Sequence, residues 1–180
     1  MAQPAGTEPK LGVIPRVVKY GFGGIREYSI LLTDRRFIFV LASLNRMFLV
    51  AAAIGGAIGA AVAGPASRDA SSKSMSYIFN DDTETLASLP NGLVIRYDGI
   101  RRLLLKKYPA DYELVIDYVN EAGKKEGIRL QLKVPDELDA EARSMGVNRK
   151  SIMRKYVTDA QATILRALPP PVAARAEWKF

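Results

Sequence analysis

Seventeen consecutive residues in the middle of the chain, FLVAAAIGGAIGAAVAG from Phe48 to Gly64, carry no charge and no side-chain hydrogen-bonding group. A run of this kind needs cover from lipid, from the rest of its own protein or from another copy, because soluble monomers rarely leave large apolar patches exposed. If residues 47 to 64 were helical throughout, at about 1.5 Å per residue they would reach about 27 Å, just short of a hydrocarbon core of about 30 Å. Length therefore permits a tilted span. Composition argues less strongly for one: seven Ala and four Gly supply little transfer energy, and Gly weakens a helix.

The residues on either side decide what the segment can be. Before it, a mobile leader over residues 1 to 10 is expected, then a first strand from Leu11 to Tyr20. Pro15 interrupts that strand, as suits an edge or a bulge. YGFGG reads as a turn, and IREYSILLTDRRFIFVLA as a hairpin reversing at Thr33 to Arg36. Its second arm, FIFVLA, is apolar at every position, which predicts that both of its faces are covered. After the segment, GPASRDASSKSMS reads as a return loop, YIFN as a short strand and DDTETLASLP as a loop or one helical turn. GLVIRYDGIRRLLLKKY then reads as a strand pair or one bent strand with a break at Gly99.

DYELVIDYV and GIRLQLKV follow, separated by the turn NEAGKK. The first alternates Tyr112, Leu114, Ile116 and Tyr118 against Glu113 and Asp117, and the second alternates Ile128, Leu130, Leu132 and Val134 against Arg129, Gln131 and Lys133. A period of two over both arms predicts an antiparallel pair with one face in the core. Beyond Pro135 the period becomes helical. DELDAEARSMG predicts a short helix ending at Gly146. NRKSIMRKYVTDAQATILRALP predicts an amphipathic helix of about 20 residues, with Ile152, Tyr156, Ala160, Thr163 and Leu168 near one stripe and Met153, Val157 and Ile164 beside it. Residues 169 to 180 are expected to form a loose Pro-rich tail.

Six or seven antiparallel strands followed by one C-terminal amphipathic helix resemble the pleckstrin-homology-like barrel, in which the helix plugs one open end. YSILLTDRRFIFV and VIRYDGIRRLLLKK look like the second-to-third strand hairpin and the Tyr-Asp-x-Ile segment of GRAM-like and bacterial PH-like domains. The resemblance covers about residues 11 to 168, interrupted by an apolar, Gly/Ala-rich insertion and loop over 45 to 75. It implies a mainly β fold and a binding or adaptor module, often at a membrane surface. In phosphoinositide-binding members a Lys and a following Arg-x-Arg flank the first hairpin loop. Lys19 and Arg26 take the first two positions here and Tyr28 stands at the third, which puts a specific inositol phosphate site in doubt.

If the strands before Arg46 and after Ser76 share one barrel, a single crossing between them would divide that barrel across the membrane, and 18 residues cannot cross twice. Three arrangements stay open: a hairpin or helix dipping into a membrane, a helix packed on the barrel or a second copy, and a mobile loop. Ala51, Gly55, Gly59 and Ala63 recur every four residues, as do Ala52, Gly56, Ala60 and Gly64, so a helix would carry a smooth stripe suited to close packing. Phe48, Leu49, Ile54, Ile58 and Val62 supply the bulk, and with Gly55 and Gly59 they are the candidate membrane-contact or self-association residues. Arg35, Arg36 and Arg46 before the segment and Arg68 and Lys73 after it, together with Lys19 and Arg26, are the candidate contacts to an anionic surface.

Charge agrees without deciding: 26 Lys and Arg against 19 Asp and Glu give +7, which favours an anionic partner. Two clusters stand out. RRLLLKK puts Arg102 and Lys106 on one strand face and Arg101 and Lys107 on the other, and NRKSIMRK places Arg149, Lys150, Arg154 and Lys155 at the start of the long helix, where cations oppose the dipole. No Cys and no His are present, which removes thiolate and imidazole metal sites, cysteine nucleophiles and His-based triads. Asp81, Asp82 and Glu84 read as a soluble turn rather than a metal site, and no P-loop, zinc finger or RNA-stacking motif is present. No cofactor and no nucleic-acid partner are expected, and no catalytic residue is assigned. The N-terminus lacks a secretory signal, so a cytoplasmic module is expected, peripheral on the inner face of the cell membrane. The alternatives are a soluble protein that self-associates through the insertion and a single-span membrane protein.

Overall fold

A computed structural model of the chain describes residues 8–21, 24–45, 78–109 and 111–180. Eight strands form one sheet in the order β4-β3-β2-β1-β7-β6-β5-β8. They are β1 (Gly12–Gly21), β2 (Gly24–Leu32), β3 (Arg36–Asn45), β4 (Leu93–Arg96), β5 (Ile100–Lys107), β6 (Tyr112–Val119), β7 (Lys125–Leu132) and β8 (Glu177–Lys179). The helices are α1 (Thr83–Ala87), α2 (Asp136–Ser144), α3 (Arg149–Ala167) and α4 (Pro170–Ala173), with a 3-10 turn over Tyr97–Gly99. The protein is mainly β, and its sheet is open rather than closed into a barrel: β4 and β8 are its two ends.

The alternating segments behave as their period demands. Leu114, Ile116, Ile128, Leu130 and Leu132 point into the main core, and β6 and β7 pair in register from Tyr112↔Leu132 to Val119↔Lys125. Met153, Tyr156, Val157, Ala160 and Ile164 bring α3 onto the same core. Asn148 caps that helix by accepting the Lys150 N–H at 2.8 Å. β3 is covered on both faces: Phe37 and Phe39 enter the main core, whereas Ile38 and Val40 pack with Leu31, Ile78 and Leu86 in a second cluster. YIFN, expected as a strand, is instead helical over residues 78 to 80. Ile78 covers Ile38 and Val40 there, a role that needs a side chain on the sheet rather than another strand within it.

Pro15 makes the expected irregularity, since the β1–β2 register shifts between Ile14↔Ile30 and Val17↔Tyr28. Beside it lies a partly buried ionic network. The Arg16 guanidinium contacts Glu27 at 3.2 Å and Asp136 at 2.7 Å, tying the start of α2 to the sheet. Burial raises the Glu27 carboxyl pKa, and the attraction of Arg16 offsets this only in part. At the corner between β4 and β5, Tyr97 is buried and its hydroxyl donates to the Thr33 carbonyl at 3.0 Å. Gly99 fits this corner because a Cβ there would lie 2.6 Å from the Val119 carbonyl oxygen.

The expected tail needs correction, as do the last residues of the expected leader, whose residues 1 to 7 lie outside the described residues. Residues 169 to 180 are not a loose tail: Pro170 opens α4, Val172 is buried, and β8 pairs in parallel with β5 through Leu105↔Trp178. The run of prolines ends α3 but also suits the first turn of a new helix, where φ is already set and the N–H is not needed. The last residues of the expected leader are likewise anchored. Glu8 pairs with Arg36 at 3.0 Å, and Lys10 Nζ donates to the carbonyls of Ile78 and Asp81.

Candidate functional site

Lys19 and Arg26 meet because β1 and β2 pair without a shift from Val17↔Tyr28 through Lys19↔Arg26 to Gly21↔Gly24. Side chains alternate along a strand, so Lys19 shares the core-side face of Val17, and Arg26 that of Tyr28. The two cations thus stand directly opposite each other at the rim of the core. Gly24 has φ +105°, a conformation suited to glycine.

Around this pair the fold assembles a recess of about 220 Å³, walled by Tyr28, Asn91, Gly92, Tyr118, Glu126 and Gly127. Asn91 adopts φ 62°, a left-handed turn geometry that Asn tolerates better than most residues. Glu126 accepts hydrogen bonds from the Tyr118 hydroxyl and from Asn120 Nδ2, each at 2.9 Å. Burial and then the Glu126 carboxylate push the Tyr118 phenol up to about 12, so it remains a donor at every physiological pH. Neither Lys19 nor Arg26 forms an ion pair among the described residues. Like charges directly across a strand pair repel, and the carboxylate that lines the recess, Glu126, is held by Tyr118 and Asn120. Comparison with family models, curated proteins and solved structures finds no match. The chemistry of the recess is therefore read from its own residues.

The apolar segment departs from this same end of the sheet. Asn45, the last residue of β3, pairs with Ile25, next to the Lys19–Arg26 rung. The chain rejoins the described structure at Ile78, on the outer face of β2 and β3. One end of the intervening stretch therefore lies in this sheet and the other packs on it. Phe48, Leu49, Ile54, Gly55, Ile58, Gly59, Val62, Arg46, Arg68 and Lys73 lie outside the described residues. Among the described residues no helix is long and apolar enough to cross a membrane.

Arg35 and Arg36 do not join the site. Nine steps of β3 at about 3.3 Å each put about 30 Å between Arg36 and Asn45, so both arginines sit at the opposite end of β3 from the Lys19–Arg26 rung. Arg36 is also engaged in holding the fold, contacting Glu8 and Glu84. The acids of the Asp81–Glu84 stretch have structural roles too: Asp82 caps α1 by accepting the Thr85 N–H at 2.8 Å, and Glu84 takes Arg36.

Sequence reasoning located the two cations but missed Asn91, Tyr118 and Glu126. Asn91-Gly92 is a turn dipeptide, so its conformation was readable; its position beside Lys19 depends on long-range pairing and was not.

Proposed function

We propose that the protein is a non-enzymatic binding or scaffolding module built on an open variant of the PH-like framework, and that it works at the inner face of a cell membrane. Seven antiparallel strands followed by a helix packed on their core support the framework. The observation that carries the function is the coincidence of two features at one end of the sheet. Lys19 and Arg26 face each other there with no ion pair among the described residues, and the chain leaves β3 toward its uncharged apolar segment from the same end. An anionic headgroup layer would supply the missing charge, each cation contributing up to about 1 kcal/mol, and the apolar residues from Phe48 to Val62 would add burial at the acyl boundary.

Vesicle flotation tests this reading. Wild-type protein should float with vesicles containing 30% phosphatidylserine and lose recovery as salt rises, while K19Q/R26Q and a deletion of residues 47 to 66 should each reduce recovery severalfold. Equal recovery of the wild type and both variants would refute it. A chain that stays in the soluble fraction as a discrete oligomer, and becomes monomeric on the same deletion, would instead establish self-association through the segment.

A further inference from the structure

A second cleft, of about 900 Å³, lies at the other end of the β5–β6 ladder. Tyr118, which lines the first recess, pairs with Ile100, whereas Tyr112, which lines this cleft, pairs with Lys107. Six strand steps separate the two tyrosines, about 20 Å. The cleft is framed by the β5–β6 turn, the residue following β7, the first turns of α3 and the residue following β8.

Its charge is one-sided. Lys107, Lys133, Arg149, Lys150 and Arg154 line it against a single acidic side chain, Asp111. Asp111 is already taken by Lys133, and the turn that carries it is held by reciprocal backbone hydrogen bonds between Tyr108 and Asp111 at 2.8 and 3.1 Å. The other four cations make no ion pair among the described residues. Lys155 of the same helix, which does not line the cleft, pairs with Asp159 at 2.6 Å. Two separate elements, β5 and α3, thus direct unpaired positive charge into one concavity.

The remaining wall is apolar and aromatic. Tyr108 and Phe180 are 43% and 45% exposed. Phe180 meets Tyr112 edge-on at 5.6 Å, and Met153 forms part of the floor. Two arginines suit forked contacts to phosphoryl oxygens, and the volume matches sites for small organic ligands.

We propose that this cleft binds a small phosphorylated molecule of nucleotide size, its phosphoryl groups held by Lys107, Arg149, Lys150 and Arg154 and its apolar part lying against Tyr108 and Phe180. This is a second ligand site, independent of the end of the sheet assigned above to a membrane. The phosphoryl group could belong to a soluble ester or to a lipid headgroup, and two arms of one experiment separate these sources.

In the first arm, sodium pyrophosphate and ADP are titrated into the full chain by calorimetry. Pyrophosphate is also followed by the fluorescence of Trp178, the single tryptophan of the chain, which lies two residues from Phe180. Saturable binding is expected. R149Q/K150Q should weaken it at least about tenfold, the loss of one charge-assisted contact, and K155Q should leave it unchanged. In the second arm, flotation with phosphatidic acid vesicles is compared for the same variants and for K19Q/R26Q. Loss of pyrophosphate and ADP binding in R149Q/K150Q alone identifies a soluble source. Silence toward both soluble probes, with vesicle recovery lost in R149Q/K150Q, identifies a headgroup. Wild type and R149Q/K150Q behaving alike in both arms would overturn the proposal, whatever K19Q/R26Q does. Arg149, Lys150 and Lys155 are exposed and Lys19 and Arg26 half-buried, and circular dichroism checks that each variant is folded.

Discussion

Replacing Lys19 with Gln should stabilise the fold while weakening attachment to anionic surfaces. Lys19 and Arg26 are direct cross-strand partners, with Cβ atoms about 5 Å apart in such a pair. At a charge separation of about 7 Å in a water-like dielectric the repulsion is about 0.6 kcal/mol. Partial burial raises that figure and ionic screening at 0.15 M lowers it, keeping the expected gain between about 0.2 and 1 kcal/mol. For a domain of this size that is a rise in melting temperature of up to about 4 °C. Thermal denaturation at 0.05 M and 0.5 M NaCl provides the assay: the gain should be larger at low salt and shrink at high salt. A drop in stability would refute the reasoning, because it would mean that Lys19 holds a favourable interaction in the fold. A gain that does not depend on salt would exclude charge as its cause. The pairing of higher stability with lower vesicle recovery is the signature of a group positioned for a partner rather than for folding.

Two further outcomes are expected. Val172→Ala should cost about 1–3 kcal/mol in urea denaturation, since Val172 is buried in the main core; a loss below about 0.3 kcal/mol would return residues 169 to 180 to the status of a loose tail. Glu27→Gln should alter the pH dependence of stability: burial raises the folded carboxyl above its usual 4.5, so the folded state binds the proton more tightly and the wild type gains stability as pH falls from 7 toward 4.5. Gln does not titrate, so the wild-type advantage over the variant should grow across that interval when both are unfolded in urea, and a constant or shrinking advantage would contradict the assignment.

The elements legible in the sequence were those whose signals are local. Leu114 and Ile116, or Ile128, Leu130 and Leu132, announce a one-sided strand by alternation, and Phe37 to Val40 announce a two-sided one by the lack of it. The helix from Arg149 to Ala167 showed its stripe in the same way. What remained hidden depends on distance along or across the sheet. Arg35 and Arg36 are near the apolar segment in sequence, but a ten-residue strand carries them to its opposite end. Lys19 and Arg26 could be named because a short turn joins them, whereas Asn91, Tyr118 and Glu126 arrive beside them only through the pairing of other strands. The proline run at 169 to 171 showed where α3 stops. It did not show that Val172 and Trp178 would find a place on the core and on β5.

The final strand has a consequence for how copies of the chain can meet. Without β8, the eight-residue β5 would offer its backbone to any neighbour. Three residues cover it instead, with Glu177 and Lys179 joined at 2.5 Å and Arg102 drawn onto Glu177. The opposite border, β4, is four residues long and ends at Arg96. Short, charged borders make poor templates, so fibril-like growth by adding strand to strand is disfavoured along β4 and β8.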